Sequence, residues 1–335
     1  MKYNILLILL MLWQIPDSVL VAFWNMENFF DPFVDTTRAY NDFTEEGPQH
    51  WTTARFYQKR NNIYKAIVGF SRNQAIGIMG VCEVENEFVL NAVFGLTPLK
   101  RFNYRWVHYE GPDRRGIDPA IVYSLDRFQL LHSEAIPYRN PDEPSMVSRD
   151  ILYAKFFDYR SDTLHCFVNH WPSKYRGELE TVGARNSAAA IVRRMVDSIV
   201  EAVPDAKIVI MGDFNDTPNA PCISQVLGAK DPCVKGSEDL LCNLFADPAK
   251  LGFKGTLKYQ ESWMVFDQII VSRPLLEADS ASLHCRPDDA HIVHDEMLLT
   301  DDLTYHGLKL NRTYVGPKYF GGFSDHLPVV LLLRY

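Results

Sequence analysis

Ala206-Lys207-Ile208-Val209-Ile210-Met211-Gly212-Asp213-Phe214-Asn215-Asp216 is the stretch on which the reading of this chain turns. Its first half is apolar and rich in β-branched residues, which predicts a buried strand. The strand ends on Gly212 and at once presents Asp213 and Asn215. Residues two apart on extended backbone project to the same side. The two side chains therefore stand together at the carboxyl end of a strand, where open α/β sheets place their ligands. An acid there holds a proton or a metal, and an amide donates to an oxyanion. Alone, the stretch reads equally as an Asx-type turn that ends a strand. Five further stretches decide between the two.

Residues 19–24 form another apolar strand, and Asn25 sits where it runs out. Residues 75–82 form a third, ending in Glu83-Val84-Glu85-Asn86. A carboxylate directly after so apolar a run is unfavourable unless something pairs with it, and a divalent cation is a natural partner. An acid at a helix N-terminus accounts for Glu85 and Glu87 better than for Glu83. Residues 152–157 and 163–169 predict a hairpin turning at Ser161-Asp162, and its second strand delivers Asn169-His170-Trp171-Pro172. A lone His at a strand end is more often structural than catalytic. Asp267 lies near the start of the apolar run 266–271, and Ser324-Asp325-His326 precedes the last strand, 329–333.

Strands at 104–109 and 119–123 pair around a polar turn that carries Glu110. Residues 55–70 and 178–203 show helical spacing of apolar positions. Residues 217–260 read as irregular. Residues 275–320 read as a polar excursion, in which His291 and His294 lack a third ligand at useful spacing. Every polar hotspot thus follows or opens an apolar strand, and several strand ends on one rim make a site.

Composition sets limits. The chain has 335 residues, 47% of them hydrophobic, enough for a sizeable core. Its net charge of −8 argues against a protein that lives by coating nucleic acid. Lys2 and the nine apolar residues 5–13 fit a signal-peptide core and are too few to span a bilayer. The expectation is a leader over 1–18, a single domain over 19–335, and export to a periplasmic or extracellular space. None of the six cysteines forms a CxxC, which argues against a zinc knuckle. Cys222, Cys233 and Cys242 cluster, so a disulfide there and free buried thiols are both open.

Asn25, Glu83, His170, Gly-Asp213-Phe-Asn215, Asp267 and Ser-Asp325-His326, in this order, resemble the deoxyribonuclease-I-like endonuclease/exonuclease/phosphatase superfamily. The likeness runs from about residue 20 to the C-terminus, and a bacterial branch is the nearest in pattern. It departs at Cys82, where many members carry Gln. The resemblance implies an α/β fold, a four-layer α/β sandwich with two packed mixed β-sheets flanked by helices. It implies Mg²⁺ or Mn²⁺, with Glu83 as main ligand supported by Asn25 and Asp325. His326 is then the general base or phosphate-binding His, oriented by Asp267. Asp213 orients or deprotonates water, and Asn215 contacts the phosphoryl oxygen. His170 binds phosphate or protonates the leaving oxygen, with Glu110 as its partner. Arg185, with Arg114, Arg115, Lys174 and Arg176, flanks the motifs, where ordinary surface charge is the bland reading.

The activity implied is hydrolysis of a phosphate ester, a phosphodiester or phosphomonoester. Candidate substrates are nucleic acid, nucleotides, and lipid or inositol phosphate headgroups. A monomer without stable membrane insertion is expected. A non-catalytic binding module on the same scaffold is the reading of another class. It requires lost metal or proton-transfer residues, and here all the main positions are present.

Overall fold

Alternation along Lys207–Asp213 builds the layers of the molecule. Ile208 and Ile210 face a helix, whereas Val209 and Met211 face a second sheet. The computed structural model describes residues 17–36, 40–160, 162–233, 239–278 and 281–335. The apolar segment 5–13 and Ser161 lie outside them. Among the described residues no helix is long and apolar enough to cross a membrane.

The strands of the first sheet are β1 (Ser18–Phe29), β2 (Ile78–Val84), β3 (Tyr104–His108) and β4 (Asp118–Ser124), with two from the C-terminal region. The second sheet holds β5 (Phe128–Ile136), β6 (Ile151–Asp158), β7 (Asp162–His170), β8 (Lys207–Asp213), β9 (Ala229–Lys230), β10 (Leu241–Asn243) and β11 (Asp267–Ser272). β12 (Ala290–Ile292) and β13 (Val329–Arg334) return to the first. The orders are β12-β13-β1-β2-β4-β3 and β5-β6-β7-β8-β11-β10-β9. Both sheets are mixed: β1 runs parallel to β2, and β7 parallel to β8, amid antiparallel neighbours.

One core fills the space between the sheets and extends under α1 (Thr53–Phe70), which buries Phe56, Ile63 and Ile67. Its N-cap is Thr52, whose hydroxyl accepts from the Arg55 N–H. A second core lies between the outer face of β7–β8 and α2 (Glu178–Ala202), built on Ala189, Val192 and Val196. Helix, sheet, sheet and helix are the four layers the resemblance implies.

Three features differ from the sequence reading. Asn25 does not end its strand: β1 continues to Phe29 through a bulge between Asn25 and Phe29. β2 carries a matching irregularity between Val81 and Val84. Inside these bulges Glu27, Asn28 and Glu83 take left-handed backbone, with φ of 49°, 46° and 60°. Bulges re-aim side chains beside functional sites, and a left-handed Glu is unfavourable enough to need support. Second, 217–260 is less irregular than read, since β9 and β10 extend the second sheet. Third, β5 lies on an edge, and its mostly half-exposed pattern hid it. All six cysteines are free, five buried and Cys233 exposed.

Candidate active site

Register assembles the centre. β7, β8 and β11 align His170 with Asp213, and Asp213 with Asp267. Residues opposite one another on adjacent strands share a face, so three functional side chains stand in a row. Gly212 makes the row possible: a Cβ there would lie 2.4 Å from the Asn169 carbonyl oxygen. In the first sheet Asn25 aligns with Cys82, beside Glu83. The loop before β13 adds Asp325 and His326. That loop is pinned to β1 by Ser324 Oγ donating to the Asn25 carbonyl (2.6 Å) and Trp24 Nε1 donating to the His326 carbonyl (2.9 Å).

His326 Nδ1 lies 2.7 Å from Asp267 Oδ2, both side chains buried. Burial opposes an imidazolium there, but the carboxylates of Asp267 and Asp213 outweigh it and hold His326 well above the ordinary His range. Its Nε2 faces Asp213 Oδ2 at 3.8 Å. Asp213 is nearly enclosed. Burial, with Asp267 behind it, lifts its carboxyl to about 6 against the pull of His326 and two donors. Those donors are the Asn215 N–H on Oδ1 (2.9 Å) and Asn25 Nδ2 on Oδ2 (3.1 Å). An acid tuned toward neutrality is what a general base needs. Asn215 sits in left-handed backbone, φ 51°, and gives one amide hydrogen to the Trp171 carbonyl at 2.9 Å. Its second amide hydrogen is the one available to a ligand.

His170 departs from expectation. Arg149 Nη2 donates to its Nε2 at 2.9 Å, so Nε2 is the acceptor of a neutral ring. Burial, then the charges of Arg149 and Arg115, pushes its pKa well below the ordinary value. The 3.6 Å and 3.7 Å approaches of Nε2 to Asp213 and Glu83 are therefore not ion pairs. Such a ring is a poor acid for a leaving oxygen. The Glu110 partnership is absent too. His170 Nδ1 has no hydrogen-bond partner among the described residues, and Glu110 lies exposed in a cleft with Asp31, Glu85 and Asn86. The strand that precedes the turn, β3, ends at His108, before Tyr109 and Glu110.

Arg185 lies beneath the site, fully buried, with Nε on Asp216 Oδ2 at 2.9 Å and Nη1 on Thr181 Oγ1 at 2.8 Å. Lys174 holds the other oxygen of Asp216 at 2.9 Å. The pair clamps the turn that presents Asp213 and Asn215. The side chain of Arg176 lies outside the described residues.

A network that the sequence reading missed sits behind Asn25. Glu27 accepts from Arg312 Nε (3.1 Å) and from the Thr313 N–H (2.7 Å). Arg312 Nη2 also donates to Asp325 Oδ2 at 2.7 Å. Buried Lys59 donates to the Glu27 carbonyl and to Thr313 Oγ1, each at 2.6 Å. Burial lowers the Lys59 pKa to about 8. Glu27 was legible as the residue two after Asn25. Arg149, alone before an apolar strand, was a weaker signal, and Arg312 in a polar excursion gave none.

The acidic side chains fit a divalent cation. Ligand atoms of Asp213, Asp267 and His326 lie within 4.8 Å of one another, although Asp267 and His326 are engaged with each other. Asn25, Glu83 and Asp325 offer oxygen, the donor of hard cations. Glu83 Oε2 accepts from the Asn28 N–H at 2.7 Å, which leaves Oε1 turned toward the cleft. Glu27, Glu83 and Asp325 together surround Lys59 and Arg312, so acid is concentrated on this side.

The profile of the endonuclease/exonuclease/phosphatase family matches residues 20–335. The chain belongs to this family. Membership makes it a hydrolase acting on phosphate ester bonds. No curated protein matches the sequence. Solved family folds include an endonuclease/exonuclease/phosphatase family protein from Bacteroides thetaiotaomicron, 17% identical, TM-score 0.57, covering 95% of each chain. A mannosyl-6-phosphatase of the same organism is 16% identical, TM-score 0.57, over 95% of this chain and 100% of that one. Humanized TDP2 from D. rerio is 14% identical, TM-score 0.58, over 96% and 100%. At these identities the likeness is one of fold.

Proposed function

We propose that the protein is a divalent-metal-dependent phosphoesterase that hydrolyses its substrate with an activated water. The observation that carries this reading is the row His170–Asp213–Asp267 with His326 closing over it. It places a carboxyl tuned to about 6 beside a His held charged by a buried carboxylate. Mg²⁺ or Mn²⁺, held by Glu83 with Asn25 and Asp325, would neutralise charge that builds on the phosphoryl oxygens.

The remaining work falls to the chain. Asp213 holds the attacking water and takes its proton. Imidazolium His326 donates through Nε2 to a phosphoryl oxygen, and Asp267 fixes its tautomer at Nδ1. Asn215 adds its free amide hydrogen to the same group. Arg149, kept in place by neutral His170, brings positive charge to the leaving side. Arg185 and Lys174 keep the Asp213–Asp216 turn rigid.

The test is a hydrolysis screen of the purified chain with Mg²⁺, Mn²⁺ and EDTA. It covers bis-p-nitrophenyl phosphate, p-nitrophenyl phosphate, sugar and inositol phosphates, sphingomyelin, RNA and plasmid DNA. Turnover that EDTA abolishes and either metal restores supports the reading. Turnover that persists in EDTA, or that zinc alone restores, refutes it.

A further inference from the structure

A cavity of about 400 Å³ opens beside the row and shares Arg149 with it as a common wall. Pro172 and Ser173, two and three residues after His170, line it as well. Three guanidiniums, Arg114, Arg115 and Arg149, face two carboxylates, Asp113 and Glu143. Arg115 ties the cavity to the catalytic side by donating to Asn28 Oδ1 at 3.3 Å.

Among the described residues, two buried donors in this wall lack partners. Ser148 is 3% exposed, and its Oγ makes no hydrogen bond. Arg149 Nε is likewise without one, its nearest acid, Asp113 Oδ2, standing 3.7 Å away. A buried polar atom left unpaired is costly, and two in one wall call for an explanation. On the cavity's lining stands Tyr175, 96% exposed, a large aromatic face left open by the described residues. Aromatic faces in such positions stack against ring-shaped ligands.

We infer that this cavity is the subsite for the alcohol half of the substrate, and that it takes a sugar. The substrate class is then a sugar phosphate; this rests on the phosphoesterase reading above. Sugar hydroxyls both donate and accept, which suits carboxylates, guanidiniums and the idle Ser148 hydroxyl side by side. The sugar ring lies on Tyr175. The surplus of positive charge suits the attached phosphate. A lipid chain needs walls that are apolar throughout, and here Met146, Val147 and Pro172 are interrupted by Asp113, Glu143 and the three guanidiniums. A nucleic acid strand needs an extended basic groove with repeated aromatic platforms, and a single Tyr at a compact cavity offers neither. In the reaction, water oxygen bonds to phosphorus, its proton passes to Asp213, the ester P–O bond breaks, and the leaving sugar oxygen takes up one proton, so that Asp213 returns to its starting state by releasing the one it took. The products are the sugar and inorganic phosphate, and no co-reactant is needed.

The experiment has two arms on the full chain. In EDTA, calorimetric titration with glucose 6-phosphate and mannose 6-phosphate compares wild type with Ser148→Ala and Tyr175→Ala. At least one sugar phosphate is expected to bind wild type saturably and about tenfold or more weakly to each variant. With Mg²⁺, each variant is expected to raise KM for that sugar phosphate about tenfold. Its kcat should stay within about threefold of wild type, and turnover of methyl phosphate, whose alcohol half has no ring or hydroxyl for the cavity to hold, should not change. Circular dichroism checks that both variants are folded. Wild type that binds neither sugar phosphate, equal losses on both substrates, or binding of an oligonucleotide in their place overturns the subsite. Sugar phosphate binding that depends on Ser148 and Tyr175 without any ester hydrolysis leaves the subsite standing and overturns the phosphoesterase reading.

Discussion

Asp267→Asn preserves the shape of a buried side chain and removes the charge that faces His326 Nδ1 across 2.7 Å. A hydrogen bond to a charged partner contributes roughly 1.5–3 kcal/mol, which is about 10- to 150-fold in rate if it acts in the transition state. The neutral amide still accepts from Nδ1, so the ring keeps its orientation and loses its charge support. His326→Ala removes the donor itself and is expected to lower kcat by on the order of 10³-fold or more. Because Asp267 acts through His326, the double variant should match His326→Ala within about threefold. Asn is the useful substitution. Asp267 is fully buried and its Oδ1 has no partner, contrary to the rim position its sequence suggested, so Ala would add a packing defect. The assay is saturating turnover of the best substrate with Mg²⁺, beside thermal melts of each variant. Losses that multiply in the double variant, or wild-type kcat in His326→Ala, would falsify the coupling. Effects confined to the melts would make both residues structural.

Glu83→Gln is expected to abolish the Mg²⁺ heat seen by calorimetry; unchanged binding would remove Glu83 from the metal site. Arg185→Met breaks a buried pair of the kind whose loss costs 3–5 kcal/mol, and Lys174 on the other oxygen puts it near about 3. Urea melts should show that loss, and one under about 0.5 kcal/mol would mean Arg185 does not anchor the Asp216 turn. Lys258, then backbone donors, lowers the Asp302 carboxyl to about 2. Its contribution to stability is complete above the unfolded value near 3.9 and fades as pH falls through 2. Asp302→Asn should flatten acid unfolding in that window, and an unchanged slope would dismiss the pair. We also propose that residues 1–18 are an export leader, and full-length protein retained unprocessed in the cytoplasm of the expressing cells would refute it.

The strands that carry function were the legible part. Strand β8 announces itself by its β-branched run, and the polar residues at strand ends, each open to a bland reading alone, point to a site when taken together. Register then brings together residues far apart in sequence, His170, Asp213 and Asp267, without further information. What stayed hidden depends on side-chain direction. The bulges that turn Glu27 and Glu83 inward break the period-two pattern, so they read as the ends of strands. His170 read as a phosphate-binding residue or an acid, and Arg149, its neighbour in space, lies 21 residues away and gives no local signal. Arg312 reaches Glu27 from 285 residues off. Contacts of that kind belong to topology, and no window of sequence contains them.

The pairing of β1 with β13 has a consequence for how the protein is made. Trp24 and His326 meet across 302 residues of chain, and β1 has β13 as one of its two neighbours. A growing chain therefore carries Asn25 and Glu83 for nearly the whole of its synthesis without the loop that completes their site. Such distant pairing forms late and slowly. A copy of the chain that stops before residue 324 lacks the loop that carries Asp325 and His326.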